Sequence, residues 1–137
     1  MPSREYINDT LNLLSISYTE KDISGNIVYF CLTQTGVNFT IIFNLYTNEI
    51  QLSKMVLPSN QDIESDGLSK IINECTGLQN IHFITTDASE VFCIAKEFSS
   101  DTDFMKICQI RQMLILFLTS AAFFKTKYLE LLKNCNY

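Results

Sequence analysis

Residues 112–124 read Gln-Met-Leu-Ile-Leu-Phe-Leu-Thr-Ser-Ala-Ala-Phe-Phe, an apolar run without a charged side chain. No Gly or Pro interrupts the surrounding stretch from Asp101 to Lys133. Acidic and hydroxyl residues at 101–103 suit a helix start, and lysines at 125, 127 and 133 suit a helix end. The pattern predicts one long terminal helix that is apolar on nearly all sides in its middle, so it must be buried on more than one side.

The middle of the chain has the pattern of an antiparallel sheet. Runs rich in β-branched and aromatic residues, separated by short turn signals, predict five strands. They are Ile27–Thr33, Asn38–Tyr46, Glu49–Leu57, Asn80–Thr86 and Glu90–Phe98. In the third strand the apolar phase slips, which predicts a β-bulge near Ser53 and Lys54. Short connections then predict a meander of three strands and a hairpin of two.

Two further helices complete the predicted architecture. Ile7, Leu11 and Leu14 recur at i, i+4 and i+7, which predicts an amphipathic helix over residues 4–16. The other helix starts at either Asp62 or Ser65, and its buried stripe is Leu68, Ile71, Ile72 and Cys75, before Gly77. The order α-β-β-β-α-β-β-α predicts one α+β domain over residues 1–137. It consists of a five-stranded antiparallel sheet with helices packed mainly on one face.

The amino-acid composition of the chain limits which partners and which cellular compartment we expect. The net charge is −5 and no cluster of Lys and Arg is visible, so nucleic acid and anionic membranes are not expected partners. The uncharged run of the last helix is shorter than the roughly 20 residues of a membrane span. No basic region leads into an apolar run at the N-terminus, and the five cysteines form no CxxC pair. A cytoplasmic protein with reduced thiols is the expectation.

One pair of residues could carry chemistry. A two-residue turn at Ala88-Ser89 would pair Ile84 with Cys93, and His82 would then lie diagonally from Cys93 on the same face. A Cys-His nucleophilic pair is therefore geometrically possible, although no third group is visible to orient the imidazole. The favoured interpretation is two ordinary residues of a strand pair. The alternative is a small-molecule-binding or enzymatic domain whose pocket is lined by these two residues and by Tyr29 or Tyr46.

Other catalytic and ligand-binding patterns are not found in the sequence. One histidine and scattered cysteines give no metal-ligand spacing. The carboxylates at 62, 64 and 66 are explained by a helix start, and the four glycines are isolated. We therefore expect no metal, no cofactor and no enzymatic activity.

The terminal helix is the feature that predicts a protein partner. About 30 residues at about 1.5 Å each give about 45 Å, whereas a strand of six or seven residues spans only about 20–24 Å. The helix therefore should extend beyond the sheet, and a homodimer or another protein should cover it. The residues predicted to bind this partner are Leu114, Phe117, Leu118, Ala121, Phe124 and Tyr128.

The element order resembles the type III secretion chaperone-like fold, which the YbjN-like family of small bacterial proteins shares. The resemblance spans Ser3 to Leu132 and rests on the meander, the connecting helix, the hairpin and the apolar terminal helix. It implies a small, acidic, cytosolic dimer that holds other proteins and lacks catalytic residues, and it carries over no site residue. The polar stretch Ser17–Asn26 departs from that pattern or hides an additional short strand. Roadblock and longin folds are the alternative.

Three functions follow from these observations. The first is a non-enzymatic protein-binding module, a chaperone-like or adaptor subunit that acts through apolar helix and sheet surfaces. The second is the binding or enzymatic domain around His82 and Cys93. The third is a subunit of an immunity or defence complex, which the sequence does not separate from the first.

Overall fold

The computed structural model describes residues 2–57, 65–75, 81–86, 90–98 and 107–135. Its helices are α1 (Pro2–Leu13), α2 (Ser65–Cys75) and α3 (Ile107–Cys135). Its strands are β1 (Ser17–Ile23), β2 (Asn26–Leu32), β3 (Asn38–Asn44), β4 (Glu49–Leu57), β5 (Ile81–Thr85) and β6 (Val91–Phe98). Several predicted features lie outside the described residues: the helix start at 101–103, the start at Asp62, the helix end at Gly77 and the turn at Asp87-Ala88-Ser89.

The sheet has six antiparallel strands in the order β1-β2-β3-β4-β6-β5. The α+β class, the antiparallel sheet and the placement of helices on one face are confirmed, but the prediction of five strands is wrong. The additional strand is β1, in the polar stretch where a hidden strand was the open alternative. Its residues lack an apolar period because β1 is an edge strand and most of its side chains are exposed.

A tight turn joins β1 to β2 and fixes their register. Ser24 and Gly25 both have positive φ angles, 49° and 82°, as a two-residue type I′ hairpin requires. Ile23 then pairs with Asn26, and the ladder continues to Ser17 opposite Leu32. The Ser24-Gly25 pair therefore forms the turn of the first hairpin of the sheet.

The strands alternate buried and accessible side chains, so the two faces of the sheet differ. On the inner face, Tyr29, Ile41 and Phe43 are fully buried. α3 packs on this face against β4 and β6, and α1 and α2 pack against α3. Side chains of the opposite face, which we call the open face, are half-buried or exposed.

The predicted slip of the apolar phase in β4 is real, but its position was wrong. The ladder between β4 and β6 is regular through Ser53 and Lys54, and its register shifts between Met55 and Leu57. Met55 therefore points to the open face, while Leu57 returns to the core. The β-bulge keeps both ends of a nine-residue strand in contact with the helix layer.

The first helix is anchored as its apolar spacing predicts. Ile7 and Leu11 are fully buried, and Leu14 packs against the core. The helix ends at Leu13, and Ser15 adopts a left-handed conformation with φ 57°. The amide of Ile16 then donates a hydrogen bond of 2.9 Å to the carbonyl of Leu11, which closes the helix end and turns the chain into β1.

Candidate partner-binding surface of the terminal helix

The residues that the sequence assigns to a partner form the inner face of α3. Five of them are buried against the chain's own sheet, namely Leu114, Phe117, Ala121, Phe124 and Tyr128, and Leu118 is half-buried against the core. They repeat with alternating spacings of three and four residues, which is the signature of one helix face. These residues form one face of the helix, and in this structure the chain's own sheet covers that face.

Two aromatic contacts show how α3 lies on the sheet. The ring of Phe117 packs on that of Phe39 in β3, with centroids 6.1 Å apart, and the ring of Phe124 stacks on that of Phe83 in β5 at 5.1 Å. Because β4 and β6 lie between β3 and β5, the helix crosses the sheet obliquely. A helix that crosses the sheet obliquely contacts more of the sheet than a helix parallel to the strands. The sheet therefore covers more of the length of α3 than the comparison of helix and strand lengths predicts.

The rest of the helix is covered by its neighbours in the same layer. α1 and α2 both contact α3. Near the C-terminal end of α3, Leu131 and Leu132 are partly buried against the same core as Tyr128. The predicted overhang is therefore largely covered by the chain itself.

One face of α3 nevertheless remains apolar and exposed. Ile115, Leu116, Phe123 and Leu129 are exposed by 46%, 38%, 45% and 53%. We call these four residues the outer stripe. Thr119, Ala122 and Thr126, which are also exposed, lie between them. The charge-free middle of the helix is the sequence feature that indicates this stripe. The contacts of Phe117 and Phe124 with the sheet are needed to tell the inner face of the helix from the outer one.

The outer stripe is bordered by basic side chains. Arg111 precedes Ile115 by four residues, Lys127 follows Phe123 by four, and Lys125 and Lys133 flank Leu129 by four on either side. Residues four apart are neighbours on a helix surface. Lys127 Nζ lies 5.5 Å from the centroid of the Phe123 ring and 3.9 Å from Glu130 Oε2. Helix α3 thus presents an apolar band with positive edges.

His82 and Cys93 do not form a pair, which corrects the predicted register. Phe83, rather than Ile84, lies opposite Cys93, and His82 lies opposite Ile94. The shift of one residue moves the imidazole to the open face, while Cys93 is fully buried on the inner face. The sheet therefore separates the two groups, and this part of the structure has no Cys-His nucleophile.

The two tyrosines of the alternative pocket also differ in their exposure to solvent. Tyr46 is 84% exposed in the turn after β3, whereas Tyr29 is fully buried on the inner face. Burial, together with the negative charge of Glu20, raises the pKa of the Tyr29 hydroxyl well above its ordinary value. Its oxygen has no hydrogen-bond partner among the described residues. Arg4 holds Glu20 with an ion pair of 3.0 Å at this edge of the core.

One surface depression among the described residues gives no further candidate for a ligand site. An open surface depression of about 510 Å³ lies where α1 meets β1, lined by Asn12, Ser15, Ile16, Ser17 and Tyr18. None of these is a charged group. Within the described ranges, no group of three or more His, Cys, Asp or Glu side chains is placed to hold a metal ion.

The helices were also compared with membrane spans, and the chain was compared with known proteins. In the portion of the chain that the structure describes, no helix has both the length and the apolar character needed to cross a membrane. No protein-family model, curated protein or solved structure matches this chain. The resemblance to type III secretion chaperones therefore stays a prediction.

Proposed function

We propose that this protein is a non-enzymatic protein-binding module, a chaperone-like or adaptor subunit, whose outer stripe on α3 binds an acidic amphipathic segment of another protein. The observation that carries this proposal is the apolar, basic-edged outer face of a helix whose inner face is already used by the sheet. A cytoplasmic location goes with the proposal, and the buried thiol of Cys31, which forms no disulfide with a described residue, supports it.

The size and composition of the stripe suit a helical or extended peptide segment. From Ile115 to Leu129 the helix rises about 21 Å, at about 1.5 Å per residue. The aromatic ring of Phe123 stands near the middle, where binding energy is usually concentrated. A partner segment of three to four turns would cover the whole stripe.

The distribution of charge supports an acidic partner. α3 carries four basic residues and one acidic residue over 107–135, so its net charge is +3, and the remaining chain must carry −8 to reach the total of −5. Opposite charges at the rim of an apolar contact steer association and exclude wrong partners. A second copy of α3 would instead bring four more basic side chains to this surface.

The proposal is tested with a designed probe and matched variants. The probe is a fluorescein-labelled helical peptide with Leu at i, i+4, i+7 and i+11 and Glu elsewhere on its flanks; its control has Lys in place of Glu. We expect anisotropy to show binding of the Glu peptide only, with affinity that falls as salt is raised. Phe123→Glu should weaken binding at least tenfold, and the new carboxylate can pair with Lys127, so the helix should stay intact.

Leu13→Glu is the matched control, because Leu13 is 62% exposed on α1 and lies outside the outer stripe. It should bind the Glu peptide as the wild type does. Equal binding of the two peptides, or an unchanged affinity of Phe123→Glu, would contradict the proposal. Binding to phosphatidylserine vesicles with no binding to the Glu peptide would assign the stripe to a membrane surface instead.

A further inference from the structure

We propose that the open face of the sheet is the interface of a twofold homodimer. This face lies opposite the helix layer, so the inference is independent of the outer stripe on α3. No described helix packs on it. Phe30, Leu32 and Ile84 on this face are exposed by 48%, 48% and 46%, and Met55 is exposed as well. An antiparallel sheet with one solvated face normally carries polar residues there, so this composition calls for an occupant.

Six apolar side chains of the open face form two neighbouring rows that cross the strands, while Ile23, Val28 and Ile42 lie outside these rows. In the first row, Phe30 lies opposite Thr40, Thr40 opposite Ser53, and Ser53 opposite Ile94. Over the four central strands this row is apolar in β2 and β6 and carries two hydroxyl groups in its middle. On the outer strands it continues to Thr19, opposite Phe30, and to His82, opposite Ile94. The centre of the row falls between β3 and β4, which is also the midline of the six-stranded sheet.

The second row repeats this arrangement one step along the strands. Leu32 lies opposite Asn38 on one side of the midline. Met55 and Ile84 both lie opposite Phe92 on the other side. The second row is therefore also apolar in β2 and β6, with a polar amide near its middle. On the outer strands it ends at Ser17, opposite Leu32, and at Ile84. Lys21, Glu49 and Lys96, the charged residues of the open face, lie outside both rows.

This pattern is complementary to itself under one rotation. A second copy turned by 180° about an axis parallel to the strands would place each half of the sheet over the opposite half of its partner. Phe30 would then face Ile94 of the partner subunit, and Leu32 would face Phe92 of the partner subunit. The hydroxyls of Thr40 and Ser53 would meet across the axis. A closed interface in which one patch serves both subunits is the commonest form of oligomer.

The area is sufficient for a specific dimer. Six strands at about 4.8 Å spacing make the sheet about 24 Å wide, and seven-residue strands are about 23 Å long. The flat area of the open face is then about 550 Å² on each subunit, or about 1,100 Å² for the two subunits together. This value does not include the additional area of the protruding side chains. That value is at the lower limit of specific interfaces, which begin near 1,000 Å². Two sheets packed in this way lie about 10 Å apart with their helix layers outside.

Sedimentation velocity over a range of concentrations tests the inference. The wild type should sediment as a species of twice 15.7 kDa at micromolar concentration. Phe30→Glu should raise the dissociation constant at least about a hundredfold, because the carboxylate would be desolvated in the interface. Lys21 Nζ lies 5.8 Å from the Phe30 ring, so the new charge has a cation beside it in the monomer and the fold should persist.

Ile94→Thr is the second variant, which keeps a β-branched residue in the strand and removes the predicted partner of Phe30. It should also weaken the dimer, with an unchanged circular dichroism spectrum. Leu13→Glu on α1 should leave the dimer intact. A monomeric wild type at 100 µM would overturn the inference, and so would dimers of Phe30→Glu and Ile94→Thr with wild-type affinity. Peptide binding by the outer stripe would survive either result.

Discussion

Single buried groups set limits on the conditions in which this fold is stable. Cys31 lies on the inner face of β2 and is only 3% exposed. Burial raises the pKa of its thiol from the ordinary 9.0 to about 12. Because burial disfavours the charged thiolate, the thiol stays protonated in the folded state at neutral pH. Cys31 is in this respect the opposite of a reactive cysteine, whose pKa is lowered.

We predict that alkaline pH destabilises the protein through Cys31. Between pH 9 and 12 the unfolded chain loses the thiol proton while the folded chain keeps it, so the unfolded state binds fewer protons. The free energy of unfolding must then fall as pH rises, by at most about 1.4 kcal/mol per pH unit for this group. The raised pKa of Tyr29 acts in the same direction above pH 10. Urea unfolding at pH 7, 9 and 10 in the presence of reductant measures the slope.

Cys31→Ala provides the control for this prediction. It should be less stable at pH 7, because a small cavity replaces the sulfur atom. Its loss of stability between pH 9 and 10 should be smaller than that of the wild type. Identical slopes in the two proteins would show that the thiol of Cys31 ionises as freely in the folded chain as in the unfolded one.

The terminal helix has two apolar faces with different roles, and adjacent residues distinguish them. Phe117 is fully buried against the ring of Phe39, whereas Leu116, one position earlier, belongs to the outer stripe. Phe117, and not Leu116, was assigned from the sequence to the surface that binds a partner. The structure assigns the first to folding and leaves the second to solvent or to a partner.

We predict opposite outcomes for aspartate at these two positions. Phe117→Asp places an unpaired carboxylate in the core and should cost several kcal/mol, enough to unfold a domain of ordinary stability. Leu116→Asp should change the free energy of unfolding by less than about 1 kcal/mol. Circular dichroism and urea unfolding of both variants check this. If Leu116→Asp also unfolded the chain, the outer stripe would be part of the core.

At the level of the whole molecule, the two uncovered apolar surfaces face in opposite directions. The open face of the sheet is on one side and the outer stripe of α3 is on the other, with the core between them. A dimer through the sheet would leave two outer stripes on its outside. Such a dimer would be bivalent, and two linked weak sites on one partner can raise the apparent affinity without any new contact.

We predict that the melting temperature depends on protein concentration. A dimer is stabilised by mass action, so a hundredfold dilution should lower the melting temperature by about 3–6 °C. Phe30→Glu should melt at a temperature that is the same at both concentrations. Differential scanning calorimetry or thermal circular dichroism at 2 and 200 µM measures this. A melting temperature of the wild type that does not change on dilution would speak against a stable dimer.

Much of the architecture was predictable because it depends on neighbouring residues in the chain. The three helices and five of the six strands follow from local periodicity and turn chemistry. The stripe of Leu114, Phe117 and Phe124 was also visible as a helix face. β1 was left open because an edge strand needs no apolar alternation, so only its pairing with β2 distinguishes it from a loop.

The candidate site depended on contacts between residues distant in sequence, which periodicity does not encode. The helix pattern shows that α3 has a core-facing stripe, but only its packing across β3 and β5 shows that the sheet occupies it and that Phe123 and Leu129 remain outside. The hairpin pattern predicts that β5 and β6 pair, but a register shift of one residue decides whether His82 and Cys93 share a face. Side chains alternate every residue along a strand, so that single step places the imidazole and the thiol on opposite faces of the sheet.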